Sequence, residues 1–215
     1  DQAVAAGVTW INAAGNEGLS TWTGPWTDID SNSYLEFSNG SERNAISSLA
    51  GQEIILQARW DDTWSHATTD IDLYIVSASG EILRGSEKPQ NGLAGQNPFE
   101  FIRFTPSSPG PYYAVVRLYG GDVPSWIQIQ EFNGWQLSSS TAAGSIANPA
   151  ESASSGLLAV GATAWSQPTL IEAYSSRGPT RDNRIKPDVV GIDFANTATY
   201  GTAGFSGTSQ AAPHI

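Results

Sequence analysis

Cysteine is absent from the 215 residues. No disulfide and no thiolate metal site can form. That absence fits a cytosolic protein and a secreted bacterial one alike. Basic residues are scarce, with ten Lys and Arg against 21 Asp and Glu and a net charge of −11. A phosphate backbone would be repelled, so nucleic acid is excluded as a partner. An anionic membrane surface is excluded on the same ground. No run of about 18 apolar residues occurs, so no helical membrane span is expected. The opening Asp1-Gln2-Ala3-Val4-Ala5-Ala6-Gly7 has neither a basic region nor a long apolar one, so it does not read as a signal peptide. Histidine occurs only twice, at His66 and His214.

What is present falls into three textures. Hydrophobic residues make up 40 %, enough for a packed core. Residues 1–18 and 141–215 are rich in Gly, Ala, Ser and Val. Residues 19–140 hold six of the eight Trp and a net charge of −8. In the flanks, Val8 to Ala14, Leu157 to Ala162 and Asp188 to Ile192 are short apolar runs bounded by Gly or Pro. They predict strands of a parallel sheet, buried on both faces. In the middle, Ile54, Leu56, Ala58 and Trp60 alternate with polar residues. Ile71, Leu73 and Ile75 alternate with Asp70, Asp72 and Tyr74. Residues 99–104, 112–119 and 126–130 are aromatic and β-branched, with Gly and Pro turns between. These predict a β-sandwich of about seven or eight strands. The fold class is therefore α/β with an inserted all-β sandwich, and a β domain in a loop of an α/β domain explains the order.

The segment Phe205-Ser206-Gly207-Thr208-Ser209-Gln210-Ala211-Ala212-Pro213-His214 carries the strongest chemical signal. Pro213 is tolerated only in the first turn of a helix, which places a helix start near Ser209. There, unpaired backbone N–H groups can hold a developing oxyanion. On residue chemistry alone, Ser209 reads rather as an ordinary serine near a helix start. Asn16, in Ala13-Ala14-Gly15-Asn16-Glu17-Gly18, reads equally as a turn residue.

Together these segments resemble subtilisin-like serine peptidases. Gly207, Thr208, Ser209, Ala211, Pro213 and His214 match each fixed position of the family's G-T-S-x-A-x-P-H motif, with Gln210 where Met is common. Ala13 to Gly18 is similar to its A-A-G-N-x-G strand end. Tyr174-Ser175-Ser176-Arg177-Gly178-Pro179 and Lys186-Pro187-Asp188-Val189-Val190 are similar to its F-S-S-R-G-P and K-P-D-V-V stretches. Val160-Gly161-Ala162 is similar to its V-G-A strand. The resemblance implies a partial subtilisin-like parallel sheet, Ser209 as nucleophile and Asn16 as an oxyanion-hole donor. It implies a protein or peptide substrate, no required cofactor, and a secreted bacterial or archaeal setting. Thr69 to Ile75 and Gly110 to Val116 resemble strands of the bacterial pre-peptidase C-terminal β-sandwich.

In that family the catalytic Asp and His precede the A-A-G-N segment, and this chain starts just before it. His214 belongs to the serine motif, and His66 lacks the family's H-G-T context. The chain is therefore expected to be a piece of a longer peptidase, with the remainder of the catalytic domain as its partner, and inactive by itself. The alternative is that the β-sandwich is a binding or accessory module of a peptidase or pseudo-peptidase, holding protein or carbohydrate. Asp61, Asp62, Asp70 and Asp72 cluster in sequence and could bind calcium through carboxylate oxygens. Without EF-hand spacing, a solvated acidic loop is the expected state. Trp60 and Trp126 are expected in the core, and Trp22, Trp26 and Trp64 at the surface.

Overall fold

The computed structural model describes residues 2–202 and 204–215. They divide into two compact units, Asp1–Leu19 with Thr141–Ile215, and Ser20–Ser140.

In the first unit, one turn of helix, α1 (Gln2–Ala5), precedes strand β1 (Trp10–Ala13). After the β unit come β10 (Leu157–Ala164), β11 (Val189–Asp193) and α2 (Thr208–Ala211), which runs into a 3-10 turn, Ala212–His214. The strands form a three-stranded sheet in the order β1-β10-β11, and both pairings are parallel. The registers Ala13↔Val160 and Ala164↔Asp193 bring the strands' carboxyl ends toward one edge of the sheet.

Expected burial on both faces holds only for the central strand β10. Ala159 packs with Ala14, Ile146 and Ala150, whereas Val160 and Ala162 pack with Ala211. Alternate residues of a strand face opposite ways, so the small side chains of β10 serve two thin cores. The outer strands are half covered: Trp10 is 47 % exposed, Ile11 42 % and Val190 43 %. They are edge strands, and apolar composition alone cannot distinguish an edge from a centre.

The K-P-D segment couples β10 to β11. Lys186 Nζ lies 2.6 Å from Asp188 Oδ2, which also accepts the Ala159 N–H at 2.7 Å. Gly191 leaves room for α2, since a Cβ there would sit 2.2 Å from the Ala211 carbonyl oxygen.

The second unit has eight strands among the described residues. One four-stranded antiparallel sheet has the order β2-β9-β4-β7, with β2 at Thr21–Gly24, β4 at Ile54–Trp60, β7 at Phe99–Phe104 and β9 at Ile127–Glu131. The other has the order β3-β8-β5-β6, with β3 at Asn44–Ile46, β5 at Asp70–Val76, β6 at Ile82–Ser86 and β8 at Tyr112–Gly120. Inward residues of both sheets form one core. Leu56 and Ile129 from the first, and Leu73 and Val116 from the second, are wholly or nearly wholly buried. This is a β-sandwich.

Three sequence expectations are corrected. Trp22 is 2 % exposed, not a surface residue. It lies on β2, which pairs with β9, meets Phe37 edge to face and donates Nε1–H to Ser38. Trp26 packs partly buried against the same core, and Trp126 is half-buried beneath the Arg59 guanidinium. Second, the supposedly outward residues Asp72 and Tyr74 are buried, each 5 % exposed. The Tyr74 hydroxyl lies 3.0 Å from Asp72 and 2.7 Å from Glu87. Third, β2, β3 and β6 are short and do not stand out from loop sequence. Trp60 and Trp64 lie where expected, at 2 % and 58 % exposure. No helix among the described residues is long and apolar enough to cross a membrane.

Candidate active site

The site lies beyond the carboxyl ends of β1, β10 and β11, where open parallel sheets hold their ligands. Just past β1 comes Asn16. Its Oδ1 accepts the Thr208 backbone N–H and the Thr208 hydroxyl, each at 3.0 Å. The Thr208 Oγ1 in turn accepts the Gly15 N–H at 3.1 Å. Thr208 is fully buried, so this junction is shielded from competing water. With Oδ1 turned to Thr208, the Asn16 amide N–H groups have no partner among the described residues. Asn16 itself is exposed.

Ser209 follows as the second residue of α2, and it is exposed. Its backbone N–H is among those a helix leaves without an intrahelical acceptor. Neither that N–H nor its hydroxyl has a partner among the described residues. Gly207 makes the turn at φ 133° and ψ 157°, a backbone shape that side chains disfavour. A Cβ there would lie 3.3 Å from Asn16 Nδ2, so the Asn16 amide lies beside this turn. The structure thus brings the Asn16 amide to the turn presenting Ser209. The two are linked through Thr208, not directly.

The tripeptide Tyr174-Ser175-Ser176 stitches the three strand ends together. The Tyr174 hydroxyl donates to Asp193 at the end of β11. Ser175 Oγ accepts the Ala162 N–H of β10 at 3.2 Å. Ser176 Oγ accepts the Glu17 N–H and donates to Glu17 Oε2, both at 3.0 Å, and the Ser176 N–H donates to the Gly15 carbonyl. Burial pushes the Glu17 carboxyl above its ordinary value, against the opposing pull of its hydrogen bond from Ser176. Burial and the bond to Asp193 raise the Tyr174 phenol well above its ordinary range.

His214, the histidine of the same unit, makes no hydrogen bond to the Ser209 hydroxyl among the described residues. His214 Nδ1 lies 2.6 Å from the Ile192 carbonyl oxygen and donates to it. His66 is exposed in the β unit, in a bridge with Gln96.

The acidic residues of the β unit act within its own loops. Asp61 accepts the Trp126 N–H, and Asp62 accepts the N–H groups of Thr63, Thr68 and Thr69. Among the described residues no group of three or more His, Asp or Glu is arranged to hold a metal ion.

Asp193, Tyr174, Thr208 and Glu17 are absent from the site read in the sequence. Tyr174, Thr208 and Glu17 lie within the motif stretches quoted above, whereas Asp193, one residue past the Asp188 to Ile192 run, left no trace there.

Residues 127–215 match the Subtilase family. The matched segment includes β10, β11, the Tyr-Ser-Ser tripeptide and the Ser209 turn. The chain as a whole is similar in fold to the CspB protease of Clostridium perfringens, at 19 % identity and a TM-score of 0.60. That match covers 94 % of this chain and 46 % of that one, so this chain spans less than half the protease's length. A second solved structure, the pre-peptidase C-terminal domain of collagenase from Bacillus anthracis, matches at 12 % identity and a TM-score of 0.33, over 56 % of this chain and 92 % of that one. No curated protein matches the chain.

Proposed function

We propose that this chain is part of a subtilisin-like serine endopeptidase and supplies its nucleophile and oxyanion donors. One observation carries the reading: the Asn16 amide, oriented by Thr208, sits beside the turn that exposes Ser209. In this mechanism the Ser209 hydroxyl attacks the scissile carbonyl carbon, its proton passes to a general base, and that base returns the proton to the nitrogen as the C–N bond breaks and the amine leaves. The acyl-enzyme is then hydrolysed by water. The Asn16 amide and the Ser209 N–H donate to the tetrahedral oxyanion, whose charge exists only in the transition state. A serine hydroxyl is a weak nucleophile without a base beside it. His214, the one histidine in the sequence of this unit, is engaged with the Ile192 carbonyl, so the base comes from the remainder of the full-length protein. A protein or peptide is the substrate, and the acidity of the chain suits an exported bacterial or archaeal protein.

The test uses the full-length protein and a fluorogenic peptide. Ser209→Ala is expected to lower turnover by orders of magnitude, and Asn16→Ala by about 10²–10³. Unchanged turnover in either variant would remove the corresponding role.

A second reading makes the β unit a binding module for protein or carbohydrate. A cavity of about 410 Å³ in that unit supports it, lined by Asp70, Asp72, Tyr74, Glu87, Arg117 and Tyr119 among others. It combines acceptors, a guanidinium donor and aromatic faces. Loss of substrate-protein binding in Tyr119→Ala with Arg117→Ala, at intact peptide turnover, is the result expected of such a module.

A further inference from the structure

Asp193 is the last residue of β11 and is fully buried. It makes no ion pair among the described residues. Its Oδ2 takes the Tyr174 hydroxyl and the Gly207 N–H, the latter at 3.3 Å, and its Oδ1 is buried without a partner among the described residues. Removing a carboxyl from water is costly unless its lone pairs are satisfied. Here they are half satisfied, at the end of an apolar strand where an aliphatic side chain would pack without that penalty. Departures from local consistency of this kind gather at functional sites.

The acceptor has a specific task. Gly207 is buried, and its N–H points inward because of the unusual backbone shape of the turn. Without an acceptor that N–H would be orphaned, at the cost of a lost buried hydrogen bond. Two further ties join the same segment to the turn. The Phe194 N–H donates to the Phe205 carbonyl at 3.2 Å. The Gln210 amide donates to the Ala195 carbonyl at 2.8 Å and accepts the Ala195 N–H at 3.3 Å. Residues 193–195 therefore grip the chain on both sides of Ser209.

We propose that Asp193, held in place by Tyr174, is a positioning residue that sets the backbone turn presenting Ser209. This rests on the reading of Ser209 as nucleophile. Asp193 touches no reacting atom. It acts through Gly207, whose turn carries the Thr208 N–H to Asn16 and leaves Ser209 exposed.

The experiment measures kcat and KM for a peptide, and the rate of fluorophosphonate labelling, in the full-length protein. Misplacement of a reacting group by about 1 Å can lower a rate about 10²-fold. Asp193→Ala is expected to lower kcat and labelling together by about 10–10²-fold, with KM within about 3-fold of the parent. Asp193→Asn is expected to recover most of that loss, because its amide oxygen can still accept the Gly207 N–H. Tyr174→Phe is expected to lower kcat by about 3–10-fold, since the carboxyl loses its anchor. A folded Asp193→Ala protein with parental kcat overturns the proposal. So does an Asn variant as impaired as the Ala variant. If Asp193→Ala fails to fold, Tyr174→Phe decides, and parental kcat there overturns it. Ser209→Ala is the separate control: activity surviving in that variant overturns the nucleophile reading and this proposal with it, whereas loss there with parental kcat in the Asp193 and Tyr174 variants overturns this proposal alone.

Discussion

Asn16 Oδ1 accepts two hydrogen bonds from Thr208, a residue 192 positions later in the chain. An amide has a distinct acceptor end and donor end. Fixing Oδ1 on a buried backbone N–H and a buried hydroxyl commits the amide N–H groups to the other side. Thr208→Val keeps the volume and the backbone N–H but deletes the hydroxyl. It is expected to lower kcat of the full-length protein by about tenfold, less than loss of the Asn16 amide itself. KM should change little. Steady-state kinetics with one peptide substrate check this.

Position 207 favours glycine on two counts, its φ of 133° and the Asn16 Nδ2 that would lie 3.3 Å from an added Cβ. Gly207→Ala is expected to destabilise the fold by at least about 1 kcal/mol. Activity should fall much further, because the strain falls on the Ser209 turn. Denaturant melts paired with active-site titration separate the two effects.

Trp22→Ala removes a fully packed indole from the β-sandwich, together with its edge contact to Phe37. A loss of about 3–5 kcal/mol is expected. Trp64→Ala, at an exposed position, is expected to stay within about 0.5 kcal/mol. Chemical denaturation of the 215-residue chain compares them.

Burial raises the carboxyls of Glu17, Asp70, Asp72, Glu100 and Glu131 above their ordinary values. Between the ordinary value, 4.5 for a glutamate, and the raised one, the folded chain holds a proton that the unfolded chain has released. Stability is therefore expected to fall as pH rises through that window, and to increase as pH is lowered from neutral toward the ordinary carboxyl values. Asp182 has the opposite sign: hydrogen bonds from Arg184 and Thr180 push it down to about 2, so its contribution is lost only in stronger acid. Melting temperatures across this range check the direction. Glu100→Gln with Glu131→Gln should flatten the slope.

The Ser209 hydroxyl of the 215-residue chain alone is expected to resist labelling by a fluorophosphonate. His214 is engaged with Ile192, and no base of the same unit hydrogen-bonds the serine hydroxyl among the described residues. Labelling at the rate of an active serine peptidase would show that a base arrives by another route.

Local patterning alone determined a good part of this protein. Period-two alternation at Ile54, Leu56, Ala58 and Trp60 specified a half-buried strand, and the structure has it in that register. Apolar runs near residues 10, 160 and 190 specified the parallel sheet, and the short motifs specified the family resemblance. These features are legible because each is written in consecutive residues. Tertiary structure decided the rest. Trp22 is buried because β9 pairs beside it, and Asp72 and Tyr74 are buried by neighbours outside their own strand. The hydrogen bonds that order the candidate site, Thr208 to Asn16, Tyr174 and Gly207 to Asp193, and Ser176 to Glu17, join segments far apart along the chain. A hydrogen bond depends on two atoms meeting within about 3 Å, and a linear pattern carries no such distance until the sheet brings the strand ends together.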